Sequence, residues 1–530
     1  MKIPIVHFND VTDGEPPAAF DASDRSDPMK LPAMRAAQKK WAAFPIQHRL
    51  RIIRSLRNRL ADGSTDLVSV IGPDTKSGAA EFLTSQIIPL ADACKFLERE
   101  AARILAPRDL SRRAAPLWLR DSTVRTHREA LGIVLVISPS NYPLFLPGVV
   151  VVQALVAGNA VLIKPAPGCS AVAHALLDLL RQSGLPEDVC AVLSENNGSA
   201  HSAIASGVNK VVFTGSAGIG RAVLRACAEE LVPATMELSG SDAMFVRADA
   251  DVTLAARALF FGLRWNRGAT CIAPRRVFVH HTRKSEFENE CARLACDEAR
   301  WKMLPEDVPD AGRSHSLMEA TGERIPIPEV RDNRTRPLAR LIVEAAAGGA
   351  HLIVGEVDHC GCVTAPVCVS DAKPSMRLML EDHFGPVAAI VSVQSDEEAL
   401  VANDLCPYAL GASIFSRNAS EARAFAARIN AGNVVINDLI VPTADPRVAF
   451  GGRKQSGFGV TRGAEGLLEL THSKAVITRR GKWRPHLAPT GNADAEFFTQ
   501  FLRFTHASKW RAKLTALWSL IRAARTRKTK

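Results

Sequence analysis

Long apolar runs are missing from this chain of 530 residues. A membrane-spanning helix needs roughly 18 or more uncharged apolar residues in a row. The longest candidate, 149–163, is interrupted by Gln153, Gly158 and Asn159. It reads as a buried helix followed by a strand. The first residues, Met-Lys-Ile-Pro-Ile-Val-His-Phe-Asn-Asp, hold no apolar signal-peptide core, so no secretory leader is expected. Paired cysteines are missing too: eleven cysteines are scattered without one CxxC. Their odd number and wide spacing exclude a disulfide framework and favour a reducing compartment, so a cytoplasmic location is expected. His359, Cys360, Cys362 and Cys368 cluster, but no second ligand pair follows, and no metal site is expected. Tyrosine is almost absent, with two in the chain, so few aromatics mark a substrate channel. A basic surface is also absent from most of the chain. Residues 481–530 hold 11 Lys and Arg against Asp494 and Glu496, and the other 480 residues carry 55 basic and 53 acidic groups. The body is therefore nearly neutral, and a nucleic-acid partner is not expected for it.

What remains is an α/β pattern. Residues 1–30, rich in Asp, Pro and Ala, have no periodicity and read as a mobile arm. Residues 32–70 place Trp41, Ile46, Leu50, Ile53 and Leu56 at helical spacing, and helix continues through 82–104. Residues 118–129 alternate polar and apolar and predict a strand. Then come short apolar runs at 132–138, 161–164, 190–193 and 210–214, separated by helical stretches. Runs that are apolar throughout suit strands buried on both faces, so parallel βαβ units in a doubly wound sheet are expected. Ligands of such sheets bind beyond the carboxyl ends of the strands. Ser138-Pro139-Ser140-Asn141, Lys164 and Thr214-Gly215 all stand at those ends. Gly215-Ser216-Ala217-Gly218-Ile219-Gly220 opens a helix there and can offer its N-terminus to a phosphate. Strands at 275–279, 352–355 and 387–393 predict a second α/β unit, with an irregular insertion at 305–340.

Two stretches carry candidate chemistry. One reads Met236-Glu237-Leu238-Ser239-Gly240-Ser241-Asp242, and the other Trp265-Asn266-Arg267-Gly268-Ala269-Thr270-Cys271. A thiol attacks only as thiolate and so needs a base or an electropositive site. A carboxyl in apolar surroundings has a raised pKa and can serve as a base near neutrality. Cys271 follows a turn whose backbone N–H groups can point at its sulfur, and Glu237 lies in an apolar setting.

These blocks, 34 residues apart, resemble the two signature stretches of the aldehyde dehydrogenase superfamily, and the resemblance runs from Trp41 to Ile477. It implies oxidation of an aldehyde with NAD or NADP, by the non-acylating route. Cys271 is then the nucleophile, Glu237 the general base, and Asn141 with the Cys271 N–H the oxyanion donors. It also assigns cofactor contacts to Ser138, Pro139, Lys164, Thr214, Gly215, Ser216, Gly220, Leu238, Asp382 and Phe384. Asp382 replaces the family's ribose-binding Glu in Glu381-Asp382-His383-Phe384-Gly385-Pro386, and Glu381 is a candidate to compensate; His383 reads as a loop histidine. Pro167 stands where many NAD-preferring members have a carboxylate, so both cofactors stay open. Ala449-Phe450-Gly451-Gly452 through Gly459 resembles the family's late glycine-rich loop, with Ala449 for Pro.

The implied domains are a cofactor domain (31–111 and 131–238), a catalytic domain (239–466) and an oligomerisation β-arm (112–130 and 467–480). The last strand, expected over 467–477, would pair with a neighbour's arm in a homodimer or homotetramer. Release of the acyl group to coenzyme A, and a non-catalytic scaffold role, are the alternatives. The tail, 481–530, departs from the family: Phe497, Phe498, Phe501, Leu502, Trp510, Leu514, Leu517, Trp518 and Ile521 recur at three- and four-residue spacing among Lys and Arg. Such helices lie on a membrane surface or dock in a groove, and the sequence leaves both open.

Overall fold

The computed structural model describes residues 31–71, 76–302, 337–357, 363, 365–480, 484, 487 and 491–528. The expected N-terminal arm, nearly all of the 305–340 insertion, and His359, Cys360 and Cys362 lie outside the described residues. The described residues fall into two compact units. One ends at His472 and lacks Ala106–Arg128; the other combines Ala106–Arg128 with the chain from Ser473 onward.

The larger unit contains two large sheets and a two-stranded pair, Tyr408–Ala409 with Arg453–Lys454. The first has six strands in the order Gly457–Phe458, Ala234–Leu238, Lys210–Gly215, Ile133–Ile137, Ala160–Lys164, Cys190–Val192. All neighbours are parallel except Gly457–Phe458. Ile133–Ile137 is buried throughout because its alternate residues enter two cores. Val134 and Val136 join Trp41, Leu56, Leu97 and the buried helix Phe145–Ala157, whereas Ile133, Leu135 and Ile137 join Met34, Ile204 and Phe213. Branched residues on both faces fit a strand covered by helices on each side. From this strand the chain winds first toward Cys190–Val192 and then, on the other side, toward Ala234–Leu238. The order reverses between Ile133–Ile137 and Lys210–Gly215, which opens a crevice beyond their carboxyl ends.

The second sheet has seven strands, His351–Val354, Val367–Ser370, Val387–Val393, Pro274–His280, Asp242–Val246, Gly411–Phe415 and Asn433–Ile436, in that order. Only His351–Val354 runs antiparallel to its neighbour. Ala234–Leu238 of the first sheet and Asp242–Val246 of the second are joined by Ser239-Gly240-Ser241, so the stretch singled out in the sequence is the hinge point between the sheets. The apolar-run strands therefore form where they were expected. At 337–340 the expected irregular insertion is instead the start of a helix, Pro337–Ala347.

The smaller unit holds a three-stranded sheet, Arg108–Asp109, Ser122–Ala130 and Thr471–Arg479, and two helices, Asn492–His506 and Trp510–Lys528. Both arm boundaries differ from expectation. The strand expected from 118 begins at Ser122, because Leu117–Leu119 closes a 3-10 turn in which Leu119 N donates to Pro116 O at 2.9 Å. The strand expected from 467 begins at Thr471, because Leu467 is fully buried within the helix Gly463–Glu469.

Helix ends leave carbonyls without intrahelical partners. Arg49, itself buried, donates to three: Nε to Val156 O at 2.9 Å, and Nη1 to Ala42 O at 3.2 Å and Phe44 O at 2.6 Å. It thus ties the end of Phe145–Ala157 to the end of Leu31–Ala43. Arg49→Leu should lower stability by roughly 3 kcal/mol, since it leaves buried acceptors unpaired. Urea unfolding of the full chain reads this; an unchanged midpoint would exclude the capping role.

Candidate active site

The loop before Cys271 is held in an uncommon backbone conformation. Asn266, Arg267 and Gly268 have φ of 49°, 53° and 72° in succession. Non-glycine residues rarely adopt positive φ, and such strain persists only where surroundings impose it. Here the surroundings are specific. Asn266 N donates to Glu81 Oε1 at 2.5 Å, and Asn266 Nδ2 donates to Asn141 O at 3.0 Å. In return Asn141 Nδ2 donates to Ala269 O at 2.8 Å, and the Tyr142 and Thr270 hydroxyls bond at 2.6 Å. Glycine is required at 268 for a further reason: a Cβ there would lie 2.3 Å from Gly385 O.

Inside this loop sits Arg275, whose side chain is completely buried. Its Nε donates to His383 O. Nη1 donates to Gly240 O at 3.1 Å, Cys271 O at 3.3 Å and Ala273 O at 3.4 Å; Nη2 donates to Thr270 O at 2.9 Å and Gly268 O at 3.3 Å. The guanidinium thus gathers the carbonyls of the loop around itself. A trans peptide points its C=O and N–H in opposite directions. The Thr270–Cys271 peptide turns its oxygen to Arg275 and therefore turns the Cys271 N–H away from it, where it is free to serve as an anion donor. Gly240 is a glycine because a Cβ would lie 2.9 Å from Cys271 O, so the two signature stretches pack backbone against backbone.

Cys271 is partly buried and free. Burial and the nearby carboxyls of Glu237 and Asp242 push its thiol up to about 12, while Arg462 and Arg275 draw it down. Glu237 is buried at the end of Ala234–Leu238, and burial raises its pKa as well, against Arg462 and a Thr461 hydrogen bond. Thr461 Oγ1 donates to Glu237 Oε2 at 3.1 Å, whereas Oε1 is buried without a hydrogen-bond partner. The carboxyl raises the thiol pKa, so an ionised Glu237 disfavours ionisation of Cys271. Arg462, buried between the rings of Phe145 and Phe450 at 4.9 and 4.3 Å, is the cation that offsets both. Asp242 is pushed up to about 7 by burial, though it accepts from Gly411 N at 3.0 Å.

The crevice at the strand ends gathers most of the remaining candidates. Ser138 is buried at the end of Ile133–Ile137 with its hydroxyl unpartnered, followed by buried Pro139. Lys164 is also buried, with Nζ 3.4 Å from Asn197 Oδ1; burial lowers its pKa and Glu195 raises it. Thr214 pairs in register with Glu237, and Gly215 with Leu238. Ser216 caps the helix Ala217–Glu229 by accepting from Ile219 N at 3.4 Å. Gly215 and Gly220 are held glycine by packing, since a Cβ would lie 2.6 Å from Phe213 and Leu238 respectively. The space around Gly218 is open. A buried lysine, an orphan hydroxyl and an open helix N-terminus suit the phosphates and ribose of a dinucleotide.

Near Cys271, Asp382 accepts from the Ser239 hydroxyl, and Phe384 lies 5.1 Å below the Arg275 guanidinium. Glu381, the candidate to compensate, pairs with Arg377 at 2.6 Å. His383 is no solvated loop histidine. It is buried, and burial with Arg275 nearby pushes it down to about 3. Four residues here were not singled out from sequence: Asp242, Arg275, Thr461 and Arg462. Two arginines opening an otherwise apolar strand, Arg275 and Arg276, were the legible signal; Thr461 and Arg462 follow a loop that drew all the attention to its glycines.

Arg275 makes a testable prediction through charge and geometry separately. Its charge lowers the Cys271 pKa, so Arg275→Gln should move alkylation of Cys271 by iodoacetamide to higher pH. Arg275→Lys keeps the charge and should hold that pH dependence, yet lose stability by roughly 2 kcal/mol, because an ammonium has three donors in place of five. Equal pH profiles in wild type and Arg275→Gln would contradict the assignment.

A model of the aldehyde dehydrogenase family matches residues 8–476. A 4,4'-diapolycopene aldehyde oxidase of Methylomonas sp is 31% identical over 90% of this chain and 86% of its own. A putative NADP(+) succinate-semialdehyde dehydrogenase of Mycolicibacterium smegmatis is 28% identical over 84% of this chain and 83% of its own. Among solved structures, a putative aldehyde dehydrogenase of Burkholderia cenocepacia is similar at TM-score 0.70 and 26% identity, covering 85% of this chain and 92% of that one. The NAD+ complex of an aldehyde dehydrogenase from Bacillus cereus has the same fold at TM-score 0.71 and 23% identity, covering 85% and 88%. With its signature stretches meeting at one loop and the family match spanning most of its length, this chain belongs to the aldehyde dehydrogenase family.

Proposed function

We propose that this protein oxidises an aldehyde to a carboxylic acid with NAD or NADP, using Cys271 as nucleophile and Glu237 as general base. The observation that carries this reading is a partly accessible thiol whose pKa is raised by a buried carboxyl, with Oε1 of that carboxyl lacking a hydrogen-bond partner. Glu237 accepts the thiol proton, directly or through water, and the Cys271 thiolate attacks the carbonyl carbon. The oxygen of the resulting thiohemiacetal takes up the negative charge, and the Cys271 N–H with the Asn141 amide is suited to hold it. The cofactor, when bound, supplies the hydride acceptor that turns this adduct into a thioester. Glu237, having released its proton, then deprotonates water through Oε1. The hydroxide adds to the thioester, the C–S bond breaks, and the acid leaves with the thiolate restored. Covalent catalysis of this kind divides one hard step into two easier ones.

Ser138, Lys164, Thr214, Gly215 and Ser216 are suited to hold the dinucleotide. Glu195 beside Lys164 supplies the carboxylate that Pro167 lacks, and the pair leaves both cofactors open. The exposed strand Thr471–Arg479 supports assembly into a homo-oligomer by sheet extension.

Glu237→Gln should slow the first turnover and stall deacylation, with the acyl group retained on Cys271 in intact-mass spectra. Its lost charge should also move Cys271 alkylation to lower pH, because Glu237 raises the thiol pKa. Steady turnover at the wild-type rate would remove Glu237 as the base.

A further inference from the structure

The tail helices are not used by this chemistry, and they display a face that folding has left uncovered. Asn492–His506 and Trp510–Lys528 pack on each other across a three-residue link. On the second helix Ala516 and Leu520, one turn apart, are buried. Trp510, Leu514, Trp518 and Ile521 are exposed, the two tryptophans at 66% and 74%. At about 100° per residue these four fall within an arc of about 80°, roughly opposite the buried pair. Arg511 and Arg522 flank the stripe on one side and Lys513 on the other at the same helical spacing. Phe498 and Leu502 add a second exposed pair, one turn apart, on the first helix.

Charge selects among occupants. After Glu496 the chain contains no Asp or Glu, while Arg503, Lys509, Arg511, Lys513, Arg522, Arg525, Arg527, Lys528 and Lys530 follow. A second copy would bring these cations face to face with their like, so the stripe is poorly suited to self-association. Spanning is excluded as well: no described helix is long and apolar enough to cross a membrane. A broad apolar stripe with tryptophans, edged by cations, matches the boundary between acyl chains and anionic headgroups.

We propose that the helices Asn492–His506 and Trp510–Lys528 bind an anionic membrane surface, with Trp510, Leu514, Trp518 and Ile521 inserted and the flanking Lys and Arg on the headgroups. This inference does not rest on the proposed reaction, because it uses no residue of the active site.

The test is flotation of the purified full chain with vesicles of phosphatidylcholine alone and of equal parts phosphatidylcholine and phosphatidylglycerol. Binding to the anionic vesicles, with tryptophan emission shifted to the blue and loss of binding at high salt, is expected. Trp510→Ala/Trp518→Ala should weaken that binding roughly tenfold or more, and Arg511→Gln/Lys513→Gln/Arg522→Gln should weaken it too. The variants change exposed positions and the half-buried Lys513, none of them in the core, so unaltered thermal unfolding is expected and controls for folding. Equal binding to neutral and anionic vesicles would overturn the proposal, as would no binding to either. Oligomer dissociation by the tryptophan variant in sedimentation velocity, without vesicle binding by wild type, would assign the face to a second copy instead.

Discussion

A buried guanidinium among backbone carbonyls is the constraint on which the candidate site depends. Arg275 is held almost entirely by oxygens of the main chain, from Gly240, Gly268, Thr270, Cys271, Ala273 and His383. Burying an unpaired cation is expensive, and six acceptors with Asp242 and Asp382 nearby are what make it tolerable. The arrangement works in both directions. The loop needs the cation to collect its carbonyls, and the cation needs the loop to replace its water. Because three connecting segments contribute oxygens, the position of Cys271 is referred to the junction at Ser239-Gly240-Ser241 and to the Glu381–Pro386 stretch at once.

The second determinant is electrostatic balance around the thiol. Two carboxyls raise the Cys271 pKa and two arginines lower it, and Arg462 also faces Glu237. Burial and these carboxyls hold the thiol toward its protonated form. Such an arrangement limits adventitious reaction of the sulfur, since reactivity follows thiolate content. The thiol is therefore read together with the Glu237 carboxyl, whose charge raises its pKa.

Much of this was legible in the sequence, for identifiable reasons. Ile133–Ile137 and its neighbours declare themselves because strands buried on both faces are apolar at every position. Cys271, Glu237 and Asn141 were named through the resemblance of their motifs to the family's, and two of those stretches meet where Gly240 packs against Cys271 O. What escaped depends on long-range placement. The arginine pair opening an apolar strand is the one local mark of Arg275, and its six acceptors come from three separate stretches. Thr461 and Arg462 reach Glu237 across 224 and 225 positions, the first by a hydrogen bond and the second by charge alone. His383 lies in a loop as expected, but packing against Arg275 buries it, which loop position alone does not indicate. The arm boundaries at Ser122 and Thr471 shifted because a turn and a short helix claimed residues whose alternation or apolarity also suited a strand.

The most direct test of the account is cofactor reduction by purified protein, followed by nicotinamide absorbance with NAD or NADP across short, long-chain and aromatic aldehydes, beside Cys271→Ala. The account predicts turnover by the wild type on at least one of these aldehydes. It predicts none by the variant, even though the variant still binds the dinucleotide. Turnover by Cys271→Ala at the wild-type rate would contradict a covalent route through this thiol, and with it the role assigned to the loop that Arg275 holds.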